Sequence, residues 1–186
     1  MRSTNLTNQF LIAMPSLADP NFSQTVTYIC AHNEDGAMGI VINRQLDMSL
    51  GEVFQQMDLH SDDETIEAMP VYLGGPVQAD RGFVLHHSIT EWQSSAKVSD
   101  DIGIATSRDI LEAIAGGTGP EESLVALGYA GWGAGQLEEE IKSNAWLSGP
   151  ADLNIIFHTP CEQRWNAAAK LLGVDIDTLS SDVGHA

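Results

Sequence analysis

Positive charge is what this chain has least of: 8 Lys and Arg stand against 26 Asp and Glu, a formal net charge of −18 at pH 7. Sequence-independent affinity for nucleic acid comes from Lys and Arg neutralising phosphates. Here Arg2, Arg44, Arg81, Arg108, Arg164, Lys97, Lys142 and Lys170 are scattered, with no basic cluster. Direct nucleic-acid binding is therefore disfavoured, as is docking to an anionic membrane. Cysteine is scarce too. Cys30 and Cys161 make no disulfide framework and fit reduced thiols in a cytoplasmic protein. Long apolar runs are missing. The start, MRSTNLTNQFLIAMPS, holds only FLIAM, too short for a signal-peptide core or a membrane span. No G-x-S-x-G elbow, HExxH, paired CxxC or EF-hand loop occurs. Neither a serine-hydrolase triad nor a dedicated metal site is indicated, and no cofactor is expected.

What is present suits a single folded domain over 1–186. Of its 186 residues 43% are hydrophobic, enough for an ordinary core. QFLIAM (9–14) reads as a buried strand ended by Pro15. TVTYICA (25–31) and AMGIVIN (37–43) flank the turn HNEDG and predict a hairpin. Ser49 to Glu52 is a capping box that opens a helix with the stripe Leu50, Val53, Phe54 and Met57. DLHSDDET (58–65) reads as an acidic solvated loop. VYLG (71–74), FVLHH (83–87), SLVALGY (123–129) and LNIIFH (153–158) read as strands. A second box at Thr106 to Asp109 opens a helix that ends at Gly116-Gly117. Thr159, Pro160 and Glu162 open a last helix with the stripe Trp165, Ala168, Ala169 and Leu172. Hairpins come first and no βαβ repeat is sustained, so the pattern predicts an α+β fold with a mixed sheet.

One stretch, GYAGWGAGQLEEEIKSNAW (128–146), has the outline of a phosphate cradle: strand, glycine-rich turn, helix. Its spacing is G-x-G-x-G from Gly131, Gly133 and Gly135, not G-x-G-x-x-G, and no Lys-Ser/Thr follows. Glu138, Glu139 and Glu140 come next, in or near the first helical turn. They already complement the helix dipole. A phosphate there would meet like charge, at about 4 kcal/mol for one pair ~4 Å apart at an effective dielectric near 20. The glycines therefore serve shape rather than anion binding. Trp132 either packs into the fold or stands as a binding anchor. Glu138 and Lys142, four apart, are expected to pair on the helix surface.

This stretch resembles the signature of the bacterial YqgE/AlgH family. The resemblance extends through NQFLIAMPSLADPNFSQTVTYICAHNEDGAMGIVINRQL, VYLGGPVQADRGFVLHHS and NIIFHTPCEQRWNAAAKLLG, roughly residues 6–175. It implies an α+β fold whose mixed sheet is curved and partly barrel-like, surrounded by helices. Family members carry a transcriptional-regulator label, which fits poorly with a charge of −18 and no basic helix-turn-helix pattern. The resemblance places no catalytic role on any residue. The shared motifs contain Pro15, Asp19, Phe22, Glu34, Gly36, Gly39 and Asn43, then Gly74, Gly75, Pro76 and His86, then Gly131, Trp132, Gln136, Glu138, Glu140, Asn144 and Trp146.

Elsewhere, Cys161 in a first helical turn with His158 nearby suggests a thiol pair, opposed by Glu162. Cys30 alternates with Val26 and Tyr28 and reads as core. His86 and His87, neighbours on a strand, point to opposite faces and cannot chelate one metal together. The leading expectation is a non-enzymatic cytoplasmic binding or regulatory protein acting through a protein or small-molecule partner. Its surface is assigned to Asn43, Gly74, Gly75, Pro76, His86, Gly131, Trp132, Gln136, Glu138 and Glu140. The alternative is a small-molecule hydrolase with a cleft beside GWGAGQLEEE, using His86 and a glutamate as an acid–base pair.

Overall fold

The computed structural model describes residues 5–17, 19–20, 22–87 and 92–174; Arg2 and the first residues of the chain lie outside them. Its strands are β1 (Gln9–Ala13), β2 (Val26–Asn33), β3 (Gly36–Val41), β4 (Gln45–Ser49), β5 (Pro70–Leu73), β6 (Val77–His87), β7 (Ser95–Lys97), β8 (Ile102–Ala105), β9 (Glu122–Gly133) and β10 (Trp146–Pro150). Its helices are α1 (Leu50–Gln56), α2 (Glu64–Glu67), α3 (Arg108–Ala115), α4 (Gln136–Lys142), α5 (Leu153–Phe157) and α6 (Arg164–Leu171), the last preceded by a 3₁₀ turn at Cys161–Gln163.

The strands form one curled, half-barrel sheet in the order β10-β1-β2-β3-β9-β6-β8-β7, with β5 joining β9 and β4 joining β5. All pairings are antiparallel except β5 with β9, so the sheet is mixed, as the sequence predicts. β9 is the spine. One of its edges follows β6 for most of its length. The other pairs first with β5 at Val125–Leu127 and then with β3 at Ala130–Gly133.

This change of partner occurs at Gly128, whose φ is +78°. A Cβ there would lie 2.4 Å from the Gly75 oxygen, and a Cβ on Gly74 would lie 2.4 Å from the Gly128 oxygen. Backbones cross this closely only where neither residue carries a side chain. The kink also inverts the side-chain alternation. Before it, Leu124 and Ala126 face the inner core with Tyr28, Phe83 and Ile156, while Val125 faces the core under α1 and α3. After it, Tyr129 takes the inner face, and Ala130 and Trp132 face a third cluster under α4.

Several expected elements form. Glu52 reaches back to the Ser49 amide at 2.7 Å, as a capping box should. The first hairpin closes through Glu34 and Asp35, with Asn33 paired to Gly36. Cys30 is buried in the inner cluster, and burial pushes its thiol well above the usual range. Other expectations fail. Residues 153–157 are a helix, not a strand. The Asp152 carboxylate accepts from the Ile155 amide, and Ile155 and Ile156 enter the same core. A strand would send these neighbours to opposite faces. Part of the predicted acidic loop forms α2, capped by Asp63 through the Thr65 amide. Ser107 rather than Thr106 takes the N-cap position of α3, without a side-chain bond to the helix amides, and the Thr159 hydroxyl donates to the Asn154 oxygen instead of capping.

Candidate functional site

The glycine-rich stretch is not a loop. Gly131, Trp132 and Gly133 continue β9, and the turn is confined to Ala134 and Gly135, with Gly135 at φ +75° before α4. Helix α4 then lies back across the sheet, and its polar residues bond inward. One Glu140 oxygen accepts from the indole N–H of Trp132 at 3.0 Å and from that of Trp146 at 2.9 Å. The other accepts from the Gln136 amide at 2.9 Å, whose own oxygen receives the Gly133 N–H at 2.9 Å. Phe22 packs on both tryptophans, at ring distances of 6.0 and 5.5 Å. Trp132 is buried, so its side chain packs within the fold instead of standing out as an anchor.

Glu138 does not pair with Lys142. It meets Nε2 of buried His32 at 3.3 Å, and Lys142 reaches Glu139 instead. His32 Nδ1 accepts the Leu6 amide at 2.9 Å, so the neutral ring carries its proton on Nε2 and donates it to Glu138. The strand register explains the orientation of His32. A bulge between Ile29 and Ala31 shifts β2 against β3, so His32 joins the α4 side while Ala31 and Asn33 face the other. Sequence reasoning missed His32 for that reason.

The remaining predicted residues disperse. The Asn43 side chain accepts the Val26 amide at 2.8 Å and donates to the Gln24 oxygen at 2.9 Å, tying the end of β3 to the start of β2. Gly74 and Gly75 form the strand crossing, and Pro76 is exposed beside it. His86 is buried, opposite Ser123 at the far end of β9 from Gly133. That span rises on the order of 30 Å at about 3.3 Å per residue. His86 and the α4 glutamates are therefore not an acid–base pair. Cys161 is half-buried, and burial raises its thiol pKa, against an activated nucleophile.

An open cleft of about 630 Å³ does lie beside β9, and Gly131 and Trp132 of that strand are among its lining residues. The β2–β3 hairpin forms one wall, with Asn33, Asp35 and Met38; Tyr129 and Phe83 form the floor. The other wall is built by an irregularity in β6. Val77 pairs with Tyr129 and Gly82 with Leu127, so five steps along β6 answer two along β9. The surplus chain bulges outward, and Gln78 adopts φ +48°, uncommon for a residue with a side chain. The bulge carries Gln78 and Arg81 into the cleft. The Arg81 guanidinium lies over the Phe83 ring at 5.6 Å and bonds Gln78 Oε1 at 3.3 Å and Thr106 Oγ1 at 3.4 Å.

A family model described as AlgH-like matches residues 10–177. The chain belongs to the AlgH-like family. A UPF0301 protein of Thioalkalivibrio sulfidiphilus is 61% identical over 184 residues, covering 99% of this chain and 98% of that one. A UPF0301 protein of Nitrosococcus oceani is 55% identical, covering 96% of both. The solution structure of the AlgH protein from Pseudomonas aeruginosa superposes with a TM-score of 0.81 at 52% identity, covering 97% of this chain and 95% of that one. A crystal structure from Corynebacterium diphtheriae, 18% identical with a TM-score of 0.76 and covering 97% and 94%, shares the fold.

In this AlgH-like chain the residues that carried the resemblance are largely those of the α4 clasp and the glycine crossing. A second node centres on a glutamate outside the stretches that carried the resemblance, although its two histidine partners lie within them. Glu122, at the start of β9, meets His87 Nδ1 at 3.1 Å with one oxygen and His158 Nε2 with the other. Glu122 and His158 also line a smaller cavity of about 360 Å³, with Ile66, Ile114 and Phe157. The sequence sets His158 near Cys161; its observed partner is Glu122. Among the described residues, no three His, Cys, Asp or Glu side chains are grouped to hold a metal ion.

Proposed function

We propose that this AlgH-like chain is a non-enzymatic, cytoplasmic binding protein that exerts a regulatory role through a partner, and that the open cleft between the β2–β3 hairpin and the β6 bulge is where its ligand sits. The cleft itself carries the reading. Its volume of about 630 Å³ falls in the range of small-molecule sites, and it combines an aromatic floor with a few polar groups. Among the described residues its lining includes no Ser, Cys, His or Lys, hence no nucleophile–base pair of the usual kind there. The α4 motif supports the same division of labour: its carboxylates are occupied in holding the wall on which the cleft rests. A net charge of −18 argues for a regulatory route that does not run through direct contact with DNA.

A thermal-shift screen of the full chain against a metabolite library tests this, because a ligand that binds only the folded state raises the melting temperature. Hits should perturb amide resonances of Met38, Tyr129 and Gly131 in NMR spectra. Hits that map elsewhere, or none at all, would overturn the assignment. Turnover of any hit would overturn the non-enzymatic part.

A further inference from the structure

We infer that the cleft receives a small organic monocarboxylate with an apolar body, its carboxylate on Arg81 and its body on Tyr129, Met38 and Val77. The inference rests on the proposed binding role and names the ligand chemistry. Three independent features point to it. First, Arg81 is a cation without an acidic partner in a strongly acidic chain. Among the described residues it forms no ion pair with a carboxylate, and its hydrogen bonds to Gln78 and Thr106, at 3.3 and 3.4 Å, are long contacts to neutral oxygens. A guanidinium offers five N–H donors in a fork that fits a carboxylate's two oxygens.

Second, the group is positioned. The Arg81 guanidinium carbon sits over the Phe83 ring at 5.6 Å from its centre, and Phe83 is itself fixed edge-on by Tyr129 at 5.6 Å. Arginine pre-oriented by stacking loses less freedom when it forms a paired contact. Third, the backbone that carries it is irregular at the same place. The ladder between Val77 and Gly82 breaks, and Gln78 sits at φ +48°. Such local cost recurs where a side chain is aimed at a ligand.

The charge of the ligand is limited by the opposite wall. Asp35 lines the same cleft at the hairpin tip, and among the described residues Arg81 is the sole cation in its lining. A second negative charge on the ligand would find no counter-ion and would face Asp35. Phosphates, dicarboxylates and polyanions are thereby selected against, whereas one carboxylate is matched.

The test uses the full chain and three probes by NMR titration: phenylacetate, its neutral isostere phenylacetamide, and phenylphosphate. Phenylacetate should saturate with shifts at Met38, Tyr129 and Gly131, and the other two should bind at least tenfold more weakly. Arg81→Gln, on an exposed bulge and so not expected to unfold the chain, should weaken phenylacetate at least tenfold. Asp35→Asn should tighten it about twofold or more. Equal binding of acid and amide, tighter binding of phenylphosphate, or indifference to Arg81→Gln would overturn the carboxylate inference. So would phenylacetate that fails to saturate in the cleft. In each case, neutral or cationic library hits mapping to the same amides would leave the cleft-binding role intact, so the two failures are distinguishable.

Discussion

Two glutamates in this molecule each meet two aromatic ring nitrogens from different elements, Glu140 through hydrogen bonds from indole N–H groups and Glu122 through close contacts with imidazoles. Glu140 is held by the indoles of Trp132 and Trp146, Glu122 by the imidazoles of His87 and His158. The difference lies in what each donor could do instead. Trp132 and Trp146 are 6% and 3% exposed, so their N–H groups have no access to bulk water. The side chain of His158 is 59% exposed and that of His87 27%. Losing Glu140 strands two buried donors, whereas losing Glu122 returns two imidazoles to solvent. Similar drawings therefore carry different free energies, and burial of the donors decides which.

The widest gap should appear on truncating the two carboxylates in turn. Glu140→Ala leaves two buried indole donors without an acceptor, at about 1–3 kcal/mol each, so urea denaturation should show a loss of about 2–6 kcal/mol. A loss below about 0.5 kcal/mol would remove the basis of the comparison. Next comes His32, the intermediate case: it is a buried imidazole that accepts the Leu6 amide and donates to Glu138. His32→Ala strands that amide and uncouples α4 from β2. A loss of about 1–3 kcal/mol is expected, with faster hydrogen exchange at Leu6. If exposure of the donor is what matters, His32 must fall nearer Glu140 than Glu122.

The sequence disclosed such features unevenly, for physical reasons. Local chemistry was legible. The box at Ser49 and Glu52, the hairpin turn at Glu34-Asp35 and the helix end at Gly116-Gly117 depend on residues a few positions apart. The placement of acidic residues at the start of the helix after Gly135 was legible too, since Glu138 and Glu139 fall in the first turn of α4. What stayed hidden depends on long-range register. The bulge at Ile29/Ala31 turns His32 toward α4, the kink at Gly128 inverts the alternation along β9, and the surplus chain between Val77 and Gly82 lifts Arg81 into the cleft. None of these leaves a local periodic signal. Ile155-Ile156 misled because an apolar pair between polar residues fits a strand and a short helix equally well. Motif residues divide between two settings: Gly36, Gly131 and Trp132 line the cleft, whereas Gln136, Glu138 and Glu140 bond within the scaffold.

The smallest effects test the other side of the comparison. Glu122→Gln keeps the shape of the side chain and removes its charge. Its histidine partners can turn to water, so the cost should stay within about 1 kcal/mol, the range of exposed ion pairs. Lys142→Ala should cost nothing measurable, because Lys142 and Glu139 are each 76% exposed and 3.8 Å apart. Glu122→Gln has one further use: His158 ends α5, and Glu122 ties that end to the sheet beside the cavity lined by Ile114 and Phe157. Even with little change in global stability, hydrogen exchange at the His158 and Thr159 amides, which bond to the Asn154 oxygen, should quicken. A global loss approaching that of Glu140→Ala would mean that the imidazole clasp is as structural as the indole one, and that solvent access to the donor does not separate them.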